Sequence, residues 1–352
     1  RKESSAASDV YKRQRCENEV LGYTGKPDSY YNAIINWVKQ RYDLIVTKEV
    51  INFVPGIVPG IGMAMNCFTQ KGDKVMIQPP VYHPFAWVTT RNERTLVINP
   101  LRWENGMYRM DLDAFREQIK GCKLFILCNP HNPGGVVWTE AELRAIADIC
   151  YDEKVLVFSD EIHADLTLPP HTHRPFATVS EKARMNSVTF MSPSKAFNMP
   201  GLSASHALIF NEDLRKRFRI YMDAGELDMG HVFAFLSVEA AYSHGTEWLD
   251  QCLAYIQGNI DFVDEFLKKH APKIKAIRPE ASYLVWLDCR ELELSQKDLN
   301  EFFVDKAHLA LNDGEMFGKE GIGFMRLNVA SPRCIIEKAM KQLADAYQLY
   351  IK

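Results

Sequence analysis

Three features that often reveal the class of a protein are missing from this sequence: paired cysteines, long apolar runs and an excess of one charge. None of the eight cysteines belongs to a CxxC pair, and Cys128, Cys150 and Cys289 lie within apolar segments. This pattern is typical of reduced core thiols in a cytoplasmic protein. We therefore expect neither disulfides nor a metal site.

The charge and the length of the apolar runs exclude two further classes. The formal net charge is −3, which provides no electrostatic attraction for nucleic acid or an anionic membrane. The longest apolar runs are well short of the roughly 20 residues that a membrane-spanning helix needs. A content of 47% hydrophobic and 25% charged residues is that of a soluble globular protein. We expect a small-molecule ligand, with neither nucleic acid nor a membrane as partner.

The length of the chain predicts two domains, preceded by an unusual start. A chain of 352 residues favours one large and one smaller domain. We place them at residues 15–249 and 250–352. The first residues, RKESSAASDVYKRQRC, have no initiator Met, no apolar periodicity and no apolar core of a signal peptide. We expect residues 1–14 to be foreign or disordered sequence, and the natural beginning of the protein to be missing.

Short apolar strands alternate with helices up to about residue 210. Helices are predicted at 61–70 and at 140–153, where Thr139 and Glu142 provide a capping box. Continuous apolar strands between helices predict an α/β fold with a mostly parallel central sheet flanked by helices. Long helices follow from residue 231, and then a small α+β region with strands near 282–288 and 323–329. The strands predicted for the central sheet are KVMIQ (74–78), KLFILC (123–128), KVLVFS (154–159), SVTFM (187–191) and ALIF (207–210).

Polar and aromatic side chains follow four of these strands. In an open parallel sheet a ligand binds beyond the C-terminal ends of the strands. Taken alone, each residue has an ordinary explanation as a turn, a helix cap or a solvated side chain. The lysine is more demanding, because a charged amine at the end of a buried strand must be paired, solvated or chemically converted. The convergence of all four strand ends favours one shared site. The side chains concerned are Tyr82, Asn129, Asn132, Asp160, His163, Ser192, Ser194 and Lys195.

An amine, a carboxylate, an amide and an aromatic ring together suit pyridoxal 5′-phosphate (PLP). A lysine forms a Schiff base with its aldehyde, and a buried carboxylate keeps its pyridine nitrogen protonated. The stretch PGIVPGIG (55–62) offers backbone N–H groups for a phosphate before a predicted helix, and it lacks the GK[ST] ending of a nucleotide P-loop. Arg326, in GIGFMRLN, provides a fork-shaped group for a substrate carboxylate.

Seven stretches of the chain resemble fold-type I PLP enzymes of the aminotransferase class I/II superfamily, and more narrowly the MalY/PatB family of cystathionine β-lyases (C–S lyases). They span the chain from about residue 15 to its end. The resemblance implies a homodimer with the active site at the subunit interface. It also implies β-elimination of cystathionine or other S-substituted cysteines to a thiol, pyruvate and ammonia. The stretches are LGYTGKPDSYYNAIINW, PGIVPGIGMA, KVMIQPPVYHPF, LCNPHNPGGVVWT, SDEIHADL, SPSKAFNMPGL and MRLNVASPR.

The resemblance also implies how the cofactor ring is held. Lys195 would carry the cofactor and move the Cα proton, and Asp160 would pair with the pyridine nitrogen. Asn132 would bond the phenolate oxygen. Tyr82 would stack on the ring. His163 falls where transaminases usually have a tyrosine that bonds the same oxygen.

The same resemblance implies the remaining contacts. Ser192 and the backbone amides of Ile57 and Val58 would hold the phosphate. Tyr23 would reach the phosphate of the neighbouring subunit. Arg326 would bind the substrate α-carboxylate.

The sequence departs from the family pattern at two positions and at its N-terminus. His83 stands where the family often has a second tyrosine, and Ser203 where related transaminases have a phosphate-binding arginine. We expect the family's N-terminal segment, which includes a WVADMDF-like stretch, to be missing from this sequence. We therefore expect phosphate charge to be poorly neutralised, and the preferred thiol leaving group stays open.

Two rival functions stay open. An aminotransferase uses the same residues, because both reactions begin with Cα deprotonation. A non-enzymatic PLP-binding regulator would use the amphipathic C-terminal helices, although such stripes usually pack in the core.

The spacing of His171 and His173 raises the question of a metal. The pair follows Pro169 and Pro170 in a polar stretch without a nearby Cys or carboxylate cluster. We interpret it as a solvated loop.

Overall fold

The computed structural model describes residue 17 and residues 22–351 of the chain, so the expectation for residues 1–14 lies outside the described residues. The α-helices are α1 Asp28–Tyr42, α2 Ile57–Phe68, α3 Pro84–Arg91, α4 Leu112–Gln118, α5 Glu140–Asp152, α6 Glu181–Met185, α7 Glu212–Asp223, α8 Val232–His244, α9 Thr246–His270, α10 Gln296–Glu301 and α11 Arg333–Ile351. The strands are β1 Ile51–Val54, β2 Lys74–Ile77, β3 Thr95–Ile98, β4 Arg102–Glu104, β5 Met107–Arg109, β6 Cys122–Cys128, β7 Leu156–Asp160, β8 Ser187–Met191, β9 Ser205–Leu208, β10 Lys275–Ile277, β11 Leu284–Asp288, β12 Asn312–Asp313 and β13 Phe324–Asn328.

The central sheet has seven strands in the order β1-β9-β8-β7-β6-β2-β3. The neighbours from β8 to β3 pair in parallel, whereas β9 pairs antiparallel with both β8 and β1. This confirms the predicted mostly parallel α/β sheet. The C-terminal ends of β2, β6, β7 and β8 consequently lie along one edge.

Strand β6 shows why this sheet is covered on both sides. Phe125 and Leu127 pack in a cluster with α5 residues such as Ile146. Leu124 and Ile126 point the other way, into a cluster with α2 and α7. Because alternate residues of a strand face opposite sides, the continuous apolar run at residues 124–128 requires helices on both faces.

A second, antiparallel sheet forms in the C-terminal part, in the order β10-β11-β13-β12. It packs with α9 and α11 in a separate hydrophobic cluster. The predicted domain division at residue 250 stays a prediction, and α9 runs across it. Arg326 lies on β13 of this sheet. Its cationic side chain lies opposite the C-terminal ends of the central strands.

The predicted helix at 61–70 was wrong at its start, because α2 begins at Ile57. Pro59 is compatible with a first helical turn, where a backbone N–H has no helical partner to lose. Gly60 allows the helix to lie against the sheet, since a Cβ there would be 2.9 Å from Val54 Cγ2. No described helix has the length and apolarity needed to cross a membrane.

The predicted capping box at the start of α5 is confirmed. The Glu142 N–H donates to Thr139 Oγ1 (3.2 Å), and the Thr139 N–H donates to Glu142 Oε2 (2.8 Å). We expect Thr139→Ala to lower the free energy of unfolding by about 1 kcal/mol, because a helix N–H loses its acceptor. Urea unfolding at neutral pH measures this loss. Thr90→Ala, at an exposed helical position, serves as the control and should change stability by less than about 0.5 kcal/mol. Equal losses in both variants would contradict a capping role.

Candidate active site

The ends of the central strands surround a cavity of about 430 Å³. The first turn of α2 forms one wall, and residues of the C-terminal sheet form the opposite wall. Nine of the residues predicted from the sequence line it. They are Ile57, Val58, Tyr82, Asn132, Asp160, His163, Ser194, Lys195 and Arg326.

Lys195 follows β8 and reaches the cavity half-buried. Burial lowers its pKa, the charge of Arg326 lowers it further, and Asp160 acts in the opposite direction. The amine consequently loses its proton more readily than an ordinary lysine does. A deprotonated amine is the form that attacks a carbonyl carbon or accepts a proton.

Asp160 ends β7 and is only 3% exposed. Its Oδ1 accepts a hydrogen bond from the Ile162 N–H at 3.1 Å, and no described cation lies within ion-pair distance. Burial raises its pKa to about 7; the charge of Glu161 also raises it, whereas the Ile162 N–H and Lys195 lower it. Such a carboxylate has the capacity to accept a charged N–H from a ligand.

Arg326 and Asn132 join the two sheets inside the cavity. Arg326 Nη1 donates to Asn132 Oδ1 at 2.8 Å, and Nη2 donates to Asn312 Oδ1 at 2.8 Å. The guanidinium carbon lies 4.6 Å from the ring centre of Phe317. Burial lowers the pKa of Arg326 to about 10, so the side chain stays cationic at neutral pH. The bond orients the Asn132 amide so that its NH₂ group is free to donate to a ligand.

His163 and Tyr82 add two rings to the cavity wall. His163 is 4% exposed, and its Nδ1 has no hydrogen-bond partner within the described residues. Burial lowers its pKa to about 3, so the imidazole is neutral. A buried ring nitrogen without a partner indicates that a ligand atom completes its hydrogen bonding. Tyr82 is half-buried, and burial raises the pKa of its phenol.

The first turn of α2 directs backbone N–H groups at the cavity. No side chain caps this helix, whose N-cap residue is Gly56. The first N–H groups of a helix have no helical acceptor and carry the positive end of its dipole, which suits an anion. Ser194, Ser203 and Ser205 line the same region. Among the lining residues only Lys195 and Arg326 are cationic, consistent with the serine at position 203 in place of an arginine.

Three predicted residues do not line this cavity. The Asn129 side-chain NH₂ donates to the Arg174 carbonyl at 3.1 Å. The Ser192 hydroxyl donates to the Ala204 carbonyl at 2.7 Å and accepts from the Ser194 N–H at 3.1 Å. These two hydrogen bonds of Ser192 therefore stabilise the loop that carries Lys195. Tyr23 is 98% exposed, and its predicted role in a neighbouring subunit stays a prediction.

The structure also adds residues that sequence patterns did not single out. Tyr283 and Asn328 line the cavity from the C-terminal sheet. His83, which the sequence already marked as a departure from the family pattern, lies between this cavity and an adjoining apolar pocket of about 450 Å³. Its ring is 4.5 Å from that of Trp87. Tyr283 lies at the start of the predicted strand SYLVWLD, but only the packing of the two sheets brings it to the site.

The solvated-loop interpretation is wrong for His173. This side chain is 1% exposed, and its Nε2 donates to Glu161 Oε2 at 2.8 Å. His171 remains partly exposed, 3.7 Å from Glu280. Within residues 17 and 22–351, no group of three or more His, Cys, Asp or Glu could hold a metal ion.

Comparison with known proteins identifies a family match over most of the chain. The family model described as aminotransferase class I and II matches residues 7–343. Cystathionine beta-lyase PatB of Bacillus subtilis (strain 168) is 37% identical over 336 residues, which cover 95% of this chain and 87% of the relative. Protein MalY of Escherichia coli (strain K12) is 29% identical over 337 residues, covering 95% and 86%.

Solved structures show the same similarity in three dimensions. A PLP-bound putative aminotransferase from Clostridium difficile 630 superposes with a TM-score of 0.95 and 39% identity, covering 97% of this chain and 88% of that one. Cystalysin from Treponema denticola, whose structure contains PLP, superposes with a TM-score of 0.94 and 33% identity, covering 99% and 88%.

Proposed function

The chain belongs to the aminotransferase class I and II family, in its MalY/PatB branch, and from this premise we propose that it is a PLP-dependent carbon–sulfur lyase. The substrate would be cystathionine or another S-substituted cysteine, and the products a thiol, pyruvate and ammonia. The observation that carries the proposal is the cavity in which Lys195, Asp160 and Arg326 meet. Relatives named cystathionine beta-lyase support elimination over amino-group transfer.

The residues of the cavity fit PLP. The uncapped start of α2 and the neighbouring serines suit its phosphate, and the unpaired Asp160 carboxylate suits its pyridine nitrogen. The free nitrogen of His163 and the NH₂ group of Asn132 suit its phenolic oxygen. When bound, PLP withdraws electrons from the Cα atom of an attached amino acid.

The protein's own residues then bind the substrate and move its proton. Arg326 presents a cationic fork to the α-carboxylate. Lys195 would hold the cofactor until the amine of the substrate displaces it. The freed amine, with its lowered pKa, would then accept the Cα proton of the substrate. Tyr82 lines the cavity beside these groups, where its ring would stack on the cofactor ring.

Turnover of L-cystathionine by the PLP-loaded protein tests the proposal. We expect pyruvate, ammonia and a free thiol in equal amounts, measured by coupled lactate dehydrogenase and thiol assays. If the protein transfers the amino group to a 2-oxo acid and releases no pyruvate, it is an aminotransferase and the lyase assignment is wrong. If the protein binds PLP, shows neither lyase nor aminotransferase activity and captures a partner protein, the result would support a non-enzymatic PLP-binding regulator.

The interaction of Arg326 with the substrate predicts a selective defect. We expect Arg326→Met to raise KM for L-cystathionine about a hundredfold, because truncating one partner of a buried charge pair costs roughly 2–5 kcal/mol. The dissociation constant of PLP should change much less. Steady-state kinetics and a PLP titration measure both quantities. Arg144→Met, at an exposed ion pair on α5, is the control. An unchanged KM would contradict carboxylate binding by Arg326.

We also propose a cytoplasmic homodimer. The fully exposed Tyr23 is available to a second subunit, and sedimentation velocity measures the association. The seven cysteines in the described residues are free, which supports a reducing compartment.

A further inference from the structure

A buried carboxylate–imidazole pair lies directly behind the strand end that carries Asp160. Glu161 follows Asp160 in the chain, yet its side chain is fully buried and points away from the cavity lining. Its Oε2 accepts from His173 Nε2 at 2.8 Å. Its Oε1 accepts from the Ser159 hydroxyl and from the Phe176 N–H, each at 2.8 Å. With three donors, the buried Glu161 carboxylate has its hydrogen-bonding needs met inside the protein.

The hydrogen bond between Glu161 and His173 connects a loop to the edge of the central sheet. Loop 167–175 contains His173 and has few other anchors to the central strands. Besides the bonds to Glu161, the Asn129 side-chain NH₂ donates to the Arg174 carbonyl at 3.1 Å. The Glu161 N–H donates to the Phe190 carbonyl on β8 at 2.9 Å, and the Asn129 N–H donates to the Asp160 carbonyl at 2.9 Å. Hydrogen bonds to β8, to Asn129 after β6 and to the loop that carries His173 consequently fix the backbone around Asp160.

Two adjacent carboxylates at one strand end also interact through their charges. A like charge disfavours ionisation of a neighbouring acid. The positive ends of the three donors on Glu161 partly offset the charge that Asp160 experiences. The titratable groups that act on the Asp160 carboxylate are Glu161, Lys195, Tyr82 and Cys128. Of these, only Glu161 lies behind the strand rather than on the cavity wall.

We propose that His173, acting through Glu161, is a positioning residue for Asp160. It holds Glu161 away from the cavity, and so keeps the Asp160 carboxylate directed at the ring nitrogen of the cofactor and available as an anion. This inference rests on the proposed function, because it assumes that Asp160 binds PLP.

The His173→Leu variant removes one of the three donors. We expect the dissociation constant of PLP to rise about tenfold, in line with the loss of one hydrogen bond to a charged group. We also expect the pH midpoint of PLP binding that reports Asp160 to move upward, because the His173 N–H no longer offsets the Glu161 charge that opposes ionisation of Asp160. His173→Gln retains a donor near the position of Nε2 and should restore both quantities. A residue that only stabilises the fold would not move the midpoint.

The measurement is a PLP titration followed by absorbance from pH 6 to pH 9, with unfolding of the cofactor-free proteins measured in parallel. Asn99→Leu is the matched control, since Asn99 is a fully buried polar side chain bonded to Gln78 near the edge strand β3. It should destabilise the fold without moving the pH midpoint. If His173→Leu does not fold, Ser159→Ala removes another donor from Glu161 with little change in volume, and should move the midpoint in the same direction.

The outcomes separate the two proposals. A wild-type protein that does not bind PLP overturns the proposed function. A wild-type protein that binds PLP, together with a His173→Leu variant of equal affinity and midpoint, overturns the positioning role alone. Equal defects in His173→Leu and His173→Gln would also overturn it, because the donor would then be irrelevant.

Discussion

Lys195→Ala is expected to abolish covalent attachment of PLP and to lower turnover of L-cystathionine by at least about 10³-fold, the range of a lost proton-transfer group. The cavity is lined by no second lysine among the described residues, so no other described amine is placed to substitute. Absorbance of the bound cofactor and a pyruvate assay measure the two effects. Because the side chain is only half-buried, the variant should fold and still bind PLP without a covalent bond.

Lys120→Ala is the matched control for this variant. Lys120 is an exposed lysine that pairs with Glu117 outside the cavity. Its replacement should leave attachment and turnover at the level of the wild type. Retained turnover in Lys195→Ala would show that another group removes the Cα proton, and would contradict the assigned role.

Asp160→Asn is expected to stabilise the cofactor-free protein while it weakens PLP binding. The pKa of Asp160 is raised from 3.8 to about 7 in the folded protein, mainly by burial. Between these values the unfolded chain has released the proton and the folded protein retains it, so wild-type stability falls as pH rises. The full penalty is on the order of 4 kcal/mol above pH 7 and vanishes below pH 4. The asparagine variant lacks this titration.

Urea unfolding of the cofactor-free proteins at several pH values measures the difference. We expect the stability gain of Asp160→Asn to be absent near pH 4, to grow between pH 4 and pH 7 and to stay constant above. Asp113→Asn, at a side chain that is 98% exposed, is the control and should show little pH-dependent gain. A gain that is independent of pH would mean that packing, rather than the buried charge, determines the effect.

The parts of the fold that the sequence predicted depend on local signals. The apolar run of β6 and the capping box of Thr139 and Glu142 each lie within a few residues, and both are confirmed. The gathering of Asp160 and Lys195 at one edge follows from the parallel order of the strands, and the structure places both at one cavity. Their roles toward PLP stay predictions.

The parts that escaped prediction depend on partners distant in the chain. His173 lies in a polar stretch that looks solvated, and only the folded chain brings Glu161 against it. The antiparallel direction of β9 follows from a connection after β8 that contains a short 3₁₀ helix, Pro200–Leu202, rather than a crossover α-helix. Tyr283 reaches the cavity only because the second sheet packs against the first.

The pairing of β1 with β9 has a consequence for synthesis of the protein. The chain leaves the ribosome N-terminus first, so the mainly apolar strand Ile51–Val54 emerges long before its partner Ser205–Leu208. Until then an unpaired edge and its apolar faces are accessible to other chains, which is a condition that favours aggregation and chaperone binding. Arg326 emerges later still, so the ends of β2, β6, β7 and β8 are synthesised before the residue that forms the opposite wall of the cavity.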